Sequence, residues 1–188
     1  RQPLEEGTIR ISRASRNFSF PCSFMLVCAM NPCPCGYYTD PKMVCRCSTT
    51  KIQNYLSKIS GPLFDRIDIH IELPPVKYKE LTAANDGETS NCIKARVEKA
   101  RLIQRQRFKD EGILCNSQMS GKLLKKYCPL DDEAQELLRL TMTELGFSAR
   151  AYDKILKVSR TIADLAQTQT IKAEHIAEAI QYRSLDRL

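Results

Sequence analysis

Four cysteines fall within fifteen residues: Cys33-Pro34-Cys35-Gly36, then a nine-residue loop from Gly36 to Val44, then Cys45-Arg46-Cys47. Zinc takes four soft ligands at the corners of a tetrahedron, with Zn–S about 2.3 Å. Two close pairs on facing arms of one loop can supply that set. The C-x-C spacing, used twice, is tighter than the usual interval of two or more residues. Pro32 and Pro34 stiffen the first arm, and Gly36 permits the turn. Four thiolates leave no open position on the metal, so the expected role is structural zinc on Cys33, Cys35, Cys45 and Cys47, not catalysis. Reduced thiols in a loop, or a labile disulfide, are the alternatives. The other cysteines (22, 28, 92, 115 and 128) show no ligand spacing and read as small buried hydrophobes.

Arg13 and Arg16 sit where Gly7 to Arg13 and the following residues up to Phe18 read as a hairpin with a basic tip. Asn31 closes a continuous apolar run, Phe24 to Met30. Such a run is the pattern of a strand covered on both faces, as inside a parallel sheet. A polar residue at the C-terminal end of such a strand is where open α/β sheets bind ligands, although Asn-Pro is also a common strand terminator. Arg66 follows Gly61-Pro62-Leu63-Phe64-Asp65 and precedes Ile67 to Glu72, whose strict alternation predicts an edge strand with one buried face and His70 on the solvated side. Arg150 opens a helix opposite its apolar stripe, where a guanidinium could fork onto a phosphate. On spacing alone Arg66, which could simply pair with Asp65 or Asp68, and Arg150 read first as solvated charges.

The elements that must position these residues divide the 188-residue chain into two textures. Residues 1–75 read as strand and loop, 76–90 as a polar linker, and 91–188 as helices. Cys92 to about Lys109 is a helix carrying seven basic residues against Glu98. Asp131 to Leu145 is a second helix, ended by Gly146. A third runs from Ser148 with a stripe that includes Tyr152, Ile155, Ser159 and Ala163. A last helix is expected to be capped by Thr170. At 43% hydrophobic and 27% charged, the composition is that of a globular protein, and no apolar run reaches the ~20 residues of a membrane-spanning helix. No leader pattern is visible, so a cytoplasmic protein with no membrane partner is expected. A net charge of +7, from 29 Lys and Arg against 22 Asp and Glu, favours an anionic partner.

Five blocks carry a resemblance: "RQPLEEGTIRISRA", "FMLVCAMNPCPCG", "CRCS", "SGPLFDRIDIHIELP" and "GFSARAYDKILKVSRTIADLA". In this order, from about Arg1 to Arg183, they resemble the C-terminal part of the bacterial Mg-chelatase-like AAA+ ATPases, the ComM/YifB group. The resemblance implies an α/β plus all-α chain. Residues 1–75 would be the C-terminal portion of an AAA+ P-loop ATPase core, with a partial parallel sheet, and 91–188 a helical lid bundle. It also implies roles: Asn31 as sensor 1, Arg66 as an arginine finger acting on the next subunit, and Arg150 as sensor 2. The hairpin would be a pre-sensor-1 insertion that turns Arg13 and Arg16 towards DNA. ATP and Mg²⁺ would be the cofactors, a homo-oligomeric ring the assembly, with a hexamer expected, and DNA remodelling of the helicase or branch-migration type the activity. Two alternatives stand beside it: a chelatase-type ATPase subunit assisting metal insertion or protein remodelling, and a non-catalytic zinc-stabilised binding module. The sequence contains no G-x-x-x-x-G-K-[ST] phosphate loop and no apolar run ending in Asp-Glu to hold Mg²⁺. These 188 residues by themselves are therefore expected to be inactive, with an incomplete sheet.

Overall fold

A computed structural model describes residues 2–13, 16–76 and 87–183. Two compact units divide them: one drawn from 1–67 with 73–75, the other from 68–72 with 76–188. Most of the linker expected at 76–90 lies outside the described residues.

In the first unit a short helix, α1 (Gln2–Glu6), stops at Gly7, whose left-handed backbone (φ 61°) favours glycine. Strands β1 (Thr8–Arg13) and β2 (Arg16–Pro21) then pair antiparallel, in a register running from Thr8 opposite Pro21 to Arg13 opposite Arg16. The two paired strands of the expected hairpin are therefore present, and residues 14 and 15 lie outside the described set. The Cys22 N–H donates to the Gly7 carbonyl at 2.6 Å and closes the base. Helix α2 (Thr49–Leu56) begins where the Ser48 hydroxyl accepts the Lys51 N–H, and α3 (Gly61–Phe64) begins with Pro62 in its first turn.

Two expectations in this unit fail. Phe24 to Met30 forms no strand: the segment has no ladder, and Met25 and Val27 are 87% and 80% exposed. An apolar run becomes a central strand only when neighbouring strands take up its N–H and C=O groups, and the described residues hold no such neighbours. The sheet observed is thus the two-stranded antiparallel hairpin, not a partial parallel sheet. Ile67 to Glu72 also forms no strand, and its alternation is inverted. His70 is buried, while Ile69 and Ile71 are exposed. Residues 68–72 pack with the helical unit, where the His70 N–H donates to the Tyr182 carbonyl at 2.7 Å and Lys154 pairs with Asp68. Contact with a helix end, and not a sheet face, decides which side is covered.

The second unit is helical. The basic helix α4 (Ser90–Arg107) is capped by the Thr89 hydroxyl and turns Ala100 and Gln104 inward, followed by Phe108. After a 3-10 turn (Asn116–Gln118) come α5 (Gly121–Tyr127), α6 (Asp132–Leu145), α7 (Ala149–Leu165) and α8 (Ala173–Gln181). The Asp131 carboxylate caps α6 and Gly146 (φ 62°) ends it, while the Ser148 hydroxyl caps α7. The last helix starts two residues later than expected. Lys172, not Thr170, is at its N-cap, and its N–H donates to Nδ1 of His175 at 3.0 Å. Leu138, Ile155, Leu156, Ile171 and Ile176 form the heart of the core, each worth roughly 1.5–3 kcal/mol by burial. Tyr152, expected in the α7 stripe, is 39% exposed. Of the five cysteines read as buried hydrophobes only Cys128 is buried; Cys28 and Cys92 are exposed, Cys22 and Cys115 partly so. Exposed neighbours on an irregular segment or an outward helix face leave a thiol in solvent regardless of its preference.

A buried polar network joins these helices. The Asp164 carboxylate accepts a forked pair of bonds from Arg107 of α4, one of 2.7 Å, and a further bond from Nε of Arg160 at 3.1 Å. Asn116 adds a bond of 2.8 Å to the same carboxylate and one of 3.0 Å to Thr161. Arg160 spends its remaining donors on the Thr168 and Gln169 carbonyls. Replacing Asp164 with Ala strands two guanidinium groups in the interior and is expected to cost roughly 3–5 kcal/mol of unfolding free energy. The exposed Arg139–Glu136 pair provides the control: Glu136→Ala should leave the denaturation midpoint close to the parent. Urea titrations of the two variants, read by circular dichroism, check the contrast.

Candidate functional site

The first-unit loop does bring the four expected cysteines together. The Sγ atom of Cys33 lies 3.3 Å from that of Cys35 and 3.7 Å from that of Cys45, and Cys35 and Cys45 are 3.5 Å apart. With Cys47 included, all four sulfurs lie within 4.8 Å of one another. A tetrahedral zinc with bonds of about 2.3 Å places its sulfurs about 3.8 Å apart, so the cluster has the size and the donor chemistry of a zinc site. The turn is built locally. The Gly36 N–H returns to the Cys33 carbonyl at 3.0 Å, and Gly36 and Thr39 both adopt left-handed backbone (φ 82° and 80°). The Asp40 carboxylate then accepts the Lys42 and Met43 N–H groups at 2.7 and 2.9 Å, closing the loop tip.

Backbone donors aimed at sulfur prepare thiolates. The Tyr37 N–H, with help from the Cys33 thiol, lowers Cys35 to about 6. Burial opposes ionisation of Cys33, yet the Tyr38 and Cys35 N–H groups still bring it below the ordinary thiol value. At Cys45 the Cys47 N–H favours the thiolate, but burial and the hydrogen bonds to Cys35 and Cys33 outweigh it and push the thiol up to about 12. Burial, joined by Cys35, raises Cys47 as well. Four sulfurs this close cannot all carry charge on their own; a divalent cation removes that conflict. These donors are backbone groups of Tyr37 and Tyr38, which no reading of side-chain types could single out.

The remaining candidates are placed as follows. Asn31 is exposed at the entrance to the cysteine loop, its amide nitrogen 4.0 Å from where a Gly36 side chain would begin. Arg13 and Arg16 are cross-strand partners at the hairpin end, both exposed, and neither makes an ion pair with a described residue. Arg66 is half-buried at the end of α3, where its guanidinium donates back to the Pro62 carbonyl. Arg150 belongs to the helical unit, in the exposed first turn of α7. The aromatic side chains of Phe18 and Phe20, which share the hairpin face of Arg16, were given no role by type or spacing; only the strand register puts them there.

One unit carries the hairpin and the four-cysteine loop and the other is helical, and two family models match the chain on either side of residues 82–86. The family described as magnesium chelatase, subunit ChlI matches residues 1–81, and magnesium chelatase, subunit ChlI C-terminal matches residues 87–183. The chain belongs to this magnesium chelatase family, which is related to the AAA+ ATPases. Competence protein ComM of Haemophilus influenzae is 44% identical over 189 residues, which take in 100% of this chain and 36% of that protein. YifB of Escherichia coli is 39% identical and YifB of Salmonella typhimurium 38%, each again over 100% of this chain and 36% of the relative. The chain thus spans little more than a third of the length of the curated relatives it matches. No described helix is long and apolar enough to cross a membrane.

Metal analysis of the purified protein is expected to find one zinc per chain. Stripping it with a chelator, or replacing Cys45 with Ser, should lower the melting temperature, because metal binding here is folding free energy. An unchanged melting curve after complete chelation would remove the metal assignment.

Proposed function

We propose that this chain is part of a ring-forming AAA+ ATPase that couples ATP hydrolysis to the remodelling of DNA. In this reading residues 1–75 are the C-terminal portion of the ATPase core, 76–90 connect, and 91–188 form the helical lid. The observation that carries the DNA half is the pair Arg13 and Arg16, held opposite one another on an exposed hairpin. Like charges directly across a strand pair repel, and no described acid relieves them. A polyanion does. The competence name of the Haemophilus relative supports the same direction, since competence is the capacity to take up DNA. A chelatase subunit acting on a porphyrin has no need of this charge arrangement.

The ATPase half rests on family membership. Asn31, Arg66 and Arg150 are the polar groups assigned to the γ-phosphate: Asn31 to orient the attacking water, Arg66 to complete the site of the next subunit, and Arg150 to report from the lid. An arginine finger works by stabilising charge that develops only in the transition state. Arg66 bonds its own helix's Pro62 carbonyl in the single chain, so serving a neighbouring subunit requires that bond to be exchanged for a phosphate. The phosphate loop and the Mg²⁺-binding acid are not in these residues, so no step of hydrolysis is assigned to this chain alone. The ring, with six subunits expected, belongs to the same proposal.

The test uses the full-length protein. Hydrolysis of ATP should rise on addition of single-stranded or forked DNA, and the stimulation should fade as salt is raised. Arg66→Ala should reduce hydrolysis by a factor of roughly 10³ or more while leaving ATP binding intact, as fingers supplied in trans do elsewhere. Hydrolysis indifferent to DNA would transfer the weight to chelatase-like or protein remodelling, and an Arg66→Ala ring that turns over normally would remove the finger.

A further inference from the structure

The register of the hairpin sorts its side chains onto two faces. Residues paired across an antiparallel ladder point the same way, and every second residue repeats that direction. One face therefore carries Ile9 with Phe20, Ile11 with Phe18, and Arg13 with Arg16. The opposite face carries Arg10 with Ser19 and Ser12 with Asn17, and its Arg10 pairs with Glu6. The first face is apolar and open to solvent: Phe18 is 46% exposed and Phe20 51%. Their rings lie 6.4 Å apart and are inclined by only 21°, so two flat π surfaces follow one another along β2 in nearly the same orientation.

We infer that Phe18 and Phe20 are a stacking platform for the bases of a single DNA strand, whose phosphates are met by Arg13 and Arg16 at the end of the same face. This rests on the proposed DNA role and deepens it by naming the form of DNA and the residues that select it. The charge complementarity is specific to this face, since neither of its arginines has an acidic partner among the described residues while the arginine of the other face is paired. An apolar protein partner would cover the rings and leave the arginines opposed. A duplex would satisfy the arginines and leave the rings in water, because its bases are already stacked on one another. A single strand offers both chemistries at the spacing of one hairpin: anionic backbone on one side and unstacked π faces on the other. Stacking of this kind tolerates any base, so no sequence preference follows from it.

The experiment measures binding of an oligo(dT) strand and of a mixed-sequence duplex by the full-length protein, by fluorescence anisotropy across a salt series. The double variant Phe18→Leu/Phe20→Leu keeps apolar volume and removes the π faces. It should weaken single-strand binding on the order of tenfold per ring, with duplex binding and the salt slope unchanged. Phe18→Trp should retain single-strand affinity, which guards against a merely misfolded hairpin. Arg13→Gln/Arg16→Gln should weaken both ligands and flatten the single-strand salt slope by roughly 0.7 per arginine. A leucine double variant that binds oligo(dT) like the parent, while the glutamine variant weakens, overturns the stacking platform and leaves the DNA-facing hairpin standing. A glutamine variant that binds both ligands like the parent overturns the hairpin's DNA role and the platform with it.

Discussion

The helical unit is organised around one carboxylate with no exposure, that of Asp164, facing two guanidinium groups. A lone buried charge costs several kcal/mol, and the cost is offset only when partners arrive in good geometry and every remaining donor is used. That requirement propagates. Arg107 must come from α4, 57 residues earlier in sequence, so the basic helix is held against α7 at its C-terminal end. Asn116 must present its amide, which fixes the 3-10 turn between them. Arg160 has more donors than Asp164 can accept, and the surplus captures the carbonyls of residues 168 and 169, fixing the chain's path towards α8. Burial lowers the affinity of Arg160 for its proton and Asp164 opposes this only in part, so removing the carboxylate would leave burial unopposed. The apolar core supplies most of the driving force, while this network specifies which helix ends meet.

The first unit is held by different means. Among its described residues only Cys33 and Ile52 are buried apolar side chains. In a unit with so small a described core, the zinc proposed for the four cysteines would act as a structural crosslink. The cysteine loop therefore bears on more than its own conformation. Cys33 is fully buried in a segment whose neighbours are mostly exposed, which is the distribution expected when a covalent or coordinate crosslink, and not hydrophobic contact, gathers the chain.

What was legible in the sequence is what depends on near neighbours. Asp131, Ser148 and Gly146 mark helix ends because a cap is a contact over three or four residues, and the C-x-C pairs mark a ligand set for the same reason. The hairpin was readable from alternation on either side of a short turn. Illegible features all depend on distant chain. Phe24 to Met30 looks like a central strand whether or not strands exist to flank it. His70 is buried in a segment whose N–H bonds the distant Tyr182 carbonyl, and Arg107, one of seven basic residues read on one helix, is distinguished by Asp164. Lys172 displaced Thr170 as a cap because the Leu130–Ile171 bridge and the Asp131 N–H bond to the Ile171 carbonyl hold the chain extended through residue 171, which postpones helix entry.

Two kinds of unsatisfied surface lie in succession along the first unit, and they ask for different things. The exposed run from Phe24 to Met30 has neither backbone partners nor side-chain cover among the described residues, and an added strand would supply both. The hairpin before it has its backbone paired and needs nothing from a sheet; what remains open there is charge and aromatic face. A strand docking on the run would leave the arginines as they are, and an anion on the arginines would leave the run bare. The chain joining them is direct, since β2 ends at Pro21 and the run begins at Phe24. At its far end the run leads to Asn31, the residue proposed to meet the γ-phosphate, and then directly to the four-cysteine loop.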